Sequence, residues 1–186
     1  MLIECGEAIM PRRVPQGCHV HRYSDRQQIS CTVLQNVISG RYARDIQLEE
    51  VVHSLLRYGA DVNESCPELG TALHMACHKG KDSIVKILVD HGADVKLQGG
   101  EFETALIAAA VGLSNIQPCS LASILYDDII TLLLRQGADV NVCSSKYGTV
   151  LDIALYKSPV KGAWRHCDTV KPFYYVLEGV CRNSNK

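Results

Sequence analysis

Apolar residues in this chain recur at helical rather than strand spacing. Val51, Val52, Leu55 and Leu56 share one face of a predicted helix over Leu48–Tyr58. Ile84, Val85, Ile87 and Leu88 do the same after Asp82 and Ser83, and a third such stretch is Ile129–Arg135. Each of these longer stretches runs into the same polar phrase, Gly59-Ala-Asp-Val-Asn63, Gly92-Ala-Asp-Val-Lys96 and Gly137-Ala-Asp-Val-Asn141. Shorter stripes alternate with them and open on Thr71-Ala-Leu73, Thr104-Ala-Leu106 and Thr149-Val-Leu151. Opening and closing phrases both step by 33 residues and then by 45. A fixed period of this size is the mark of a stacked repeat array.

The best-preserved unit is Gly70–Gly100. Thr71 is placed to cap a short helix, because its hydroxyl accepts an otherwise unpaired backbone N–H. Leu73, Ala76 and Cys77 form a narrow stripe suited to close packing, and Gly80 and Gly92 are placed to end the two helices. Asp82 suits the positive end of the second helix, and Asp94 is set to hydrogen-bond its own turn. The pattern T-A-L-H-x-A, then Gly, then I-V-x-I-L, then G-A-D-V resembles the ankyrin repeat, over roughly Cys31 to Leu155. The Gln98–Leu106 form is similar to hairpins common in fungal ankyrin arrays.

That resemblance implies an all-α solenoid, an ankyrin-like stack of about four helix-turn-helix units with hairpin loops and irregular terminal units. The chain then divides into a loosely ordered arm (1–27), a repeat domain (28–182) and a tail (183–186). Within the domain lie an irregular repeat (28–63), a regular one (64–96), one carrying an insertion at 111–128 (97–141) and a degenerate cap (142–182). In the irregular repeat, Thr32–Gly40 imitates Thr71–Gly80 one residue short, with about six extra residues near Arg41–Gln47. In the cap, Pro159, Gly162 and Trp164 break the pattern, and Val170–Leu177 is predicted as a covering helix.

The family also implies binding through a groove lined by hairpins and inner helices. Carried over by position, the hairpin tips are Glu64, Ser65, Glu68, Gln98, Glu101, Phe102, Lys146 and Tyr147, with Met75, His78 and Ile107 as exposed inner-helix neighbours. Glu64, Glu68 and Glu101 make this groove acidic, and Phe102 and Tyr147 are its aromatic anchors, the residue class that dominates binding hot spots. The expected function is a non-enzymatic interaction module for a protein partner, with a regulatory adaptor or transcriptional coregulator as the alternative reading. A metal protein or enzyme is the third class.

Composition changes this picture little. Hydrophobic residues make up 47% and charged residues 21% of 186, which fits a globular domain with a real core. The net charge is −1, so nothing global points to a polyanion, although 31–156 carries 9 basic against 15 acidic residues and 157–186 carries 6 against 2. Nine cysteines, an odd number, sit in a chain whose Met1–Met10 lacks a basic n-region. Free thiols in cytoplasm or nucleus, without secretion, are therefore expected. No apolar run reaches the ~18–20 residues of a membrane span. A monomer without direct nucleic-acid or membrane contact is the corresponding expectation.

Candidate chemistry is sparse. His74, Cys77 and His78 share a helix face, but the ankyrin resemblance makes His74 a structural residue that ties Thr71 and nearby backbone. In the next two units Ile107 and Asp152 stand in its place, which removes the expected inter-repeat bond. Cys18-His19-x-His21 is metal-capable yet lacks a second ligand pair of zinc spacing. Arg12-Arg13 and the basic C-terminal stretch lack the density of a nucleic-acid footprint. There is no phosphate loop, no nucleophile elbow, and Gln98-Gly99-Gly100 belongs to a hairpin. Asp127-Asp128 is assigned to charging a helix start. No cofactor, metal or catalytic residue is predicted.

Overall fold

A computed structural model describes residues 19–24, 27–39, 45–116 and 121–156. The segments at 1–18, 25–26, 40–44, 117–120 and 157–186, with the expected Val170–Leu177 helix and the basic C-terminal stretch, lie outside the described residues. Helices come in pairs: α1 (Val33–Ile38) with α2 (Asp45–Arg57), α3 (Ala72–His78) with α4 (Asp82–Asp90), and α5 (Ala105–Ser114) with α6 (Leu121–Arg135). Among the described residues one further helix, α7 (Val150–Tyr156), packs on α5. Short helices α1, α3, α5 and α7 stack on one another as an inner layer, and α2, α4 and α6 as an outer layer.

The core between the layers is continuous. Leu34, Ile38, Leu48 and Val52 lead into Leu73, Ala76, Val85 and Leu88, and then into Leu106, Ile107, Ile130 and Leu133. One helix pair buries too little apolar surface to offset its chain entropy, so each unit takes its stability from its neighbours. The helix α5 is buried from Ala105 to Leu113, which explains its run of alanines: only small side chains let α3 and α7 approach from both sides.

The helix starts follow the sequence closely. Thr71 caps α3, accepting from the His74 backbone N–H, and Thr104 caps α5, accepting from Ile107. Thr32 caps α1 in the same way, with Gln35 completing the reciprocal pair. Asp94 accepts from the Lys96 amide at 2.9 Å, as its turn requires.

One expectation needs correction. The structure is not wholly helical. An antiparallel pair, β1 (His19–Ser24) and β2 (Gln27–Thr32), runs directly into the α1 cap, with His19 opposite Thr32 and Ser24 opposite Gln27. Val20, Tyr23, Ile29 and Thr32 are strand-favouring types without helical periodicity.

The insertion at 111–128 is mostly helix. The inner helix α5 continues to Ser114, and α6 begins at Leu121, eight residues ahead of the expected Ile129. The extra turns consist of helix-compatible residues, and Tyr126 and Ile129 bury their side chains there. No helix among the described residues is long and apolar enough to cross a membrane.

The extended α6 carries a destabilising acid. Asp127 has a buried Oδ1 without a hydrogen-bond partner, and burial, with the adjacent Asp128 charge, pushes its pKa up to about 7. Between pH 3.8 and 7 the folded chain therefore holds a proton that the unfolded chain releases, and stability falls as pH rises through that window. Asp127→Asn is expected to stabilise by about 1–2 kcal/mol at pH 8 once the group's partial exposure is allowed for. It should leave stability at pH 3.5 nearly unchanged. Urea titrations at the two pH values check this, and equal effects at both would contradict it.

Candidate functional site

The hairpins that join the units are built by left-handed turn residues and short ladders. In the first, β3 (Ser65–Cys66) pairs antiparallel with β4 (Gly70–Thr71). The second and third are closed by the bridges Gly99 to Glu103 and Ser144 to Gly148. Successive hairpins are bonded to each other. The Glu101 amide donates to the Glu68 carbonyl at 2.9 Å. Glu103 Oε1 accepts from the Ser145 amide at 3.0 Å and from its hydroxyl at 2.7 Å. On the loops past the outer helices, Asn63 Nδ2 donates to the Gly92 carbonyl and its Oδ1 accepts from the Asp94 amide.

Glu103 is the one described non-glycine residue with a positive φ, 63°, at the position held by Gly70 and Gly148 in the neighbouring units. Its backbone strain is offset by the two bonds its carboxylate accepts from the next hairpin, which a glycine could not make. Those bonds hold its pKa below the usual range.

Several predicted contact residues meet at the second and third hairpins. Glu101 Oε1 accepts from the Tyr147 hydroxyl at 2.9 Å and forms an ion pair with Lys146, whose ammonium also lies 5.1 Å from the Tyr147 ring centroid. Hydrogen bonds from Lys146 and Tyr147 hold the Glu101 carboxyl below its ordinary pKa, while Glu101 raises that of Lys146. Behind them runs a row of rings. His78 stacks on Phe102 with centroids 4.5 Å apart, and Phe102 stacks on Tyr147 at 5.9 Å. Offset stacking of this kind favours an ordered row over a loose apolar patch.

This geometry sorts the predicted groove residues. Ser65, Glu68, Gln98, Glu101 and Lys146 are exposed, and Glu64, His78 and Tyr147 are half-buried. Met75 and Ile107, expected on the surface, are buried at 5% and 0% exposure. The inner helices α3 and α5 face each other so closely that these positions point into the interface between units. Phe102 is likewise 5% exposed, since His78 and Tyr147 cover its two faces. The acidic groove is also reduced, because the Glu101 charge is met by Lys146 from the next hairpin.

The His74 cluster is structural. Its Nδ1 accepts from the Thr71 amide at 3.2 Å and lies 2.7 Å from the Thr71 hydroxyl, which assigns the proton to Nε2. Nε2 meets no acceptor at full hydrogen-bond geometry, yet the Glu103 and Leu97 carbonyls are near enough to draw its pKa partly back up. Cys77 is fully buried, and burial raises its thiol pKa strongly, so it is inert as a nucleophile. Among the described residues no three metal-ligating side chains converge, Cys77 and Cys143 are free thiols, and Cys66 Sγ accepts from the Leu69 amide at 3.2 Å. Cys18 lies outside the described residues.

Sequence reasoning missed Gln35. It takes the place of His74 in the first unit, wholly buried, and its Nε2 donates to the Glu64 carbonyl at 3.1 Å and the Gly70 carbonyl at 2.6 Å. Glu64 and Gly70 lie 33 residues before Leu97 and Glu103, the two carbonyls beside His74. The repeat step alone identifies this equivalence. Asp152 keeps the local half of the role, accepting from the Thr149 amide at 2.9 Å and hydroxyl at 2.8 Å, and Ile107 keeps none of it.

Paired helices, left-handed turns and bonded hairpins define an ankyrin-type stack. The family model for ankyrin repeats (3 copies) matches residues 41–142, more than half of the chain, and the protein belongs to the ankyrin repeat family. Among curated relatives, ankyrin repeat and SOCS box protein 5 of Bos taurus is 35% identical over 104 residues, 56% of this chain and 28% of the relative. The Homo sapiens protein of that name is 30% identical over 129 residues, 69% of this chain and 35% of the relative. The cation channel "Transient receptor potential cation channel subfamily A member 1" of Drosophila melanogaster is 26% identical over 110 residues, 59% of this chain and 8% of the channel. The chain thus spans about a third or less of these relatives. They are animal proteins and add nothing to the fungal likeness of the Gln98–Leu106 hairpin.

Proposed function

We propose that this ankyrin stack recognises a protein partner along its hairpin ridge, without catalysis. The observation that carries the reading is the row Glu68, Glu101, Tyr147 and Lys146, where exposed groups of both charges and an aromatic edge are ordered across three hairpins. A pre-ordered surface loses less side-chain entropy on binding than a mobile one. The contact set is Glu64, Ser65, Glu68, Gln98, Glu101, Lys146 and Tyr147, with His78 at its inner edge. Buried Met75, Phe102 and Ile107 support that set from beneath rather than touching the partner.

The test is affinity capture with wild type, Glu68→Arg, Lys146→Glu and Lys86→Ala, the last on the exposed face of α4. Capture is expected to fall at least tenfold for the ridge variants, equivalent to about 1.4 kcal/mol, and to hold for Lys86→Ala. Equal capture by all four would end the ridge reading. The chain is further proposed to act as a monomer in cytoplasm or nucleus, without direct contact to nucleic acid or membrane. Sedimentation of the purified chain and imaging of the tagged protein in cells address the first two points.

A regulatory adaptor is the second reading, favoured by relatives whose names join ankyrin repeats to a SOCS box. An adaptor must hold a second protein while the ridge is occupied. Competition between all bound proteins for one surface would exclude it. Its coregulator form also requires nuclear residence, and strict nuclear exclusion would remove that form.

A further inference from the structure

The inserted stretch of α6 reaches back across α5 to the preceding unit through one side chain. The Tyr126 hydroxyl donates to the His78 backbone carbonyl at 2.7 Å, and the residue is 5% exposed. That carbonyl belongs to the last turn of α3, where helix geometry leaves it without an intrahelical partner. Two glycines make room for the ring. A Cβ on Gly80 would lie 2.7 Å from Tyr126 Cε2, and one on Gly112 would lie 2.4 Å from the His78 oxygen and 2.6 Å from the Tyr126 hydroxyl. Burial pushes the phenol up to about 12, so the group remains a donor throughout the neutral range. His78 is at the same time the inner end of the ring row that continues through Phe102 to Tyr147 and Glu101.

We infer that Tyr126 is a positioning residue through which the insertion holds His78, and with it the ring row beneath the hairpin ridge, in register. The insertion then acts on the binding surface from behind, without contributing a contact of its own. Its consequence for partner binding rests on the ridge reading above, whereas the positioning itself does not.

The experiment is NMR of the full chain with labelled histidine, following the His78 ring Cε1–H, assigned by its loss in His78→Gln. A proton over the face of a stacked ring is shielded, so the wild-type signal is expected upfield of its position in the urea-unfolded chain. Tyr126→Phe removes only the hydroxyl, and Gly112→Ala places a methyl into the same hydrogen bond. Both are expected to move the His78 signal toward its unfolded-chain position and raise its titration midpoint from its burial-lowered value toward 6.5. The His53 and His91 signals and the helical circular dichroism should hold. Val85→Ala, which loosens the core at α4 and leaves the Tyr126–His78 hydrogen bond unaltered in its groups, should leave the signal in place. An unmoved His78 signal in both Tyr126→Phe and Gly112→Ala would overturn the proposal, as would an equal movement in Val85→Ala. A moved signal with unchanged partner capture would uphold the positioning and count against the ridge reading.

Discussion

Gly100→Ala is expected to destabilise the stack by at least about 3 kcal/mol, against about 1 kcal/mol for Gly92→Ala. Both glycines have a positive φ, 68° and 86°, so each substitution meets the same left-handed strain. Their surroundings differ. Nothing lies within 4 Å of a Cβ built on Gly92, whereas one on Gly100 would stand 2.1 Å from the Gly70 nitrogen and 2.5 Å from the Leu69 carbonyl carbon. Those are backbone atoms of the preceding hairpin, and they cannot rotate away. Relief requires the two hairpins to separate, which breaks the Glu101 amide bond to the Glu68 carbonyl and disturbs the Glu101–Lys146–Tyr147 cluster above it. Urea midpoints for the two variants measure the contrast. Equal losses would mean that the hairpins are not in contact as described.

The second large effect concerns acid. Burial, partly opposed by the Glu103 and Leu97 carbonyls, lowers the His74 pKa from 6.5 to about 4. Between those values the unfolded chain binds a proton that the folded chain does not. Stability is therefore complete above pH 6.5 and lost as pH falls toward 4, by about 3 kcal/mol over the window. Asp127 acts in the opposite direction over an overlapping window, so the wild-type profile is flatter than His74 alone would make it. The variant that separates the two is His74→Gln. Gln35 already fills the equivalent position, accepting from the Thr32 amide at 3.0 Å and donating to the carbonyls of the next hairpin. His74→Gln should retain most of the stability at pH 7.5 and remove the acid loss. Thermal melts at pH 7.5 and 4.5 decide it, and an acid loss undiminished in the variant would locate the sensitivity elsewhere.

Much of the stack is legible in the sequence, and for a local reason. Thr71, Thr104 and Thr149 act on amides three residues away, and the glycine turns act within their own loops, so the repeat shows in the order of residues. The buried faces of α3 and α4 follow from helical spacing alone. The strand pair before α1 escaped because its signal is type preference without the period being sought. The burial of Tyr126 in the insertion was not legible, because it depends on what lies across from it.

The candidate site was legible as a list but not as an arrangement. Family position singled out Glu101, Phe102, Lys146 and Tyr147 separately, and sequence separation hid that Glu101 and Lys146 pair across 45 residues. Nor does any residue type announce that Met75 and Ile107 are covered, since exposure at an inner helix depends on how closely the next unit approaches.

The sequence by itself determined the family, the repeat step, the helix caps and the core faces, because each depends on neighbours within one turn or on a period that repeats. The tertiary structure alone decided which hairpin groups face solvent, that Glu101 is neutralised by the next unit, and that Tyr126 reaches His78 over 48 residues. Those outcomes depend on the distance between stacked units, which the small side chains Ala105, Ala108, Ala109 and Gly112 set only once α3, α5 and α6 are packed together.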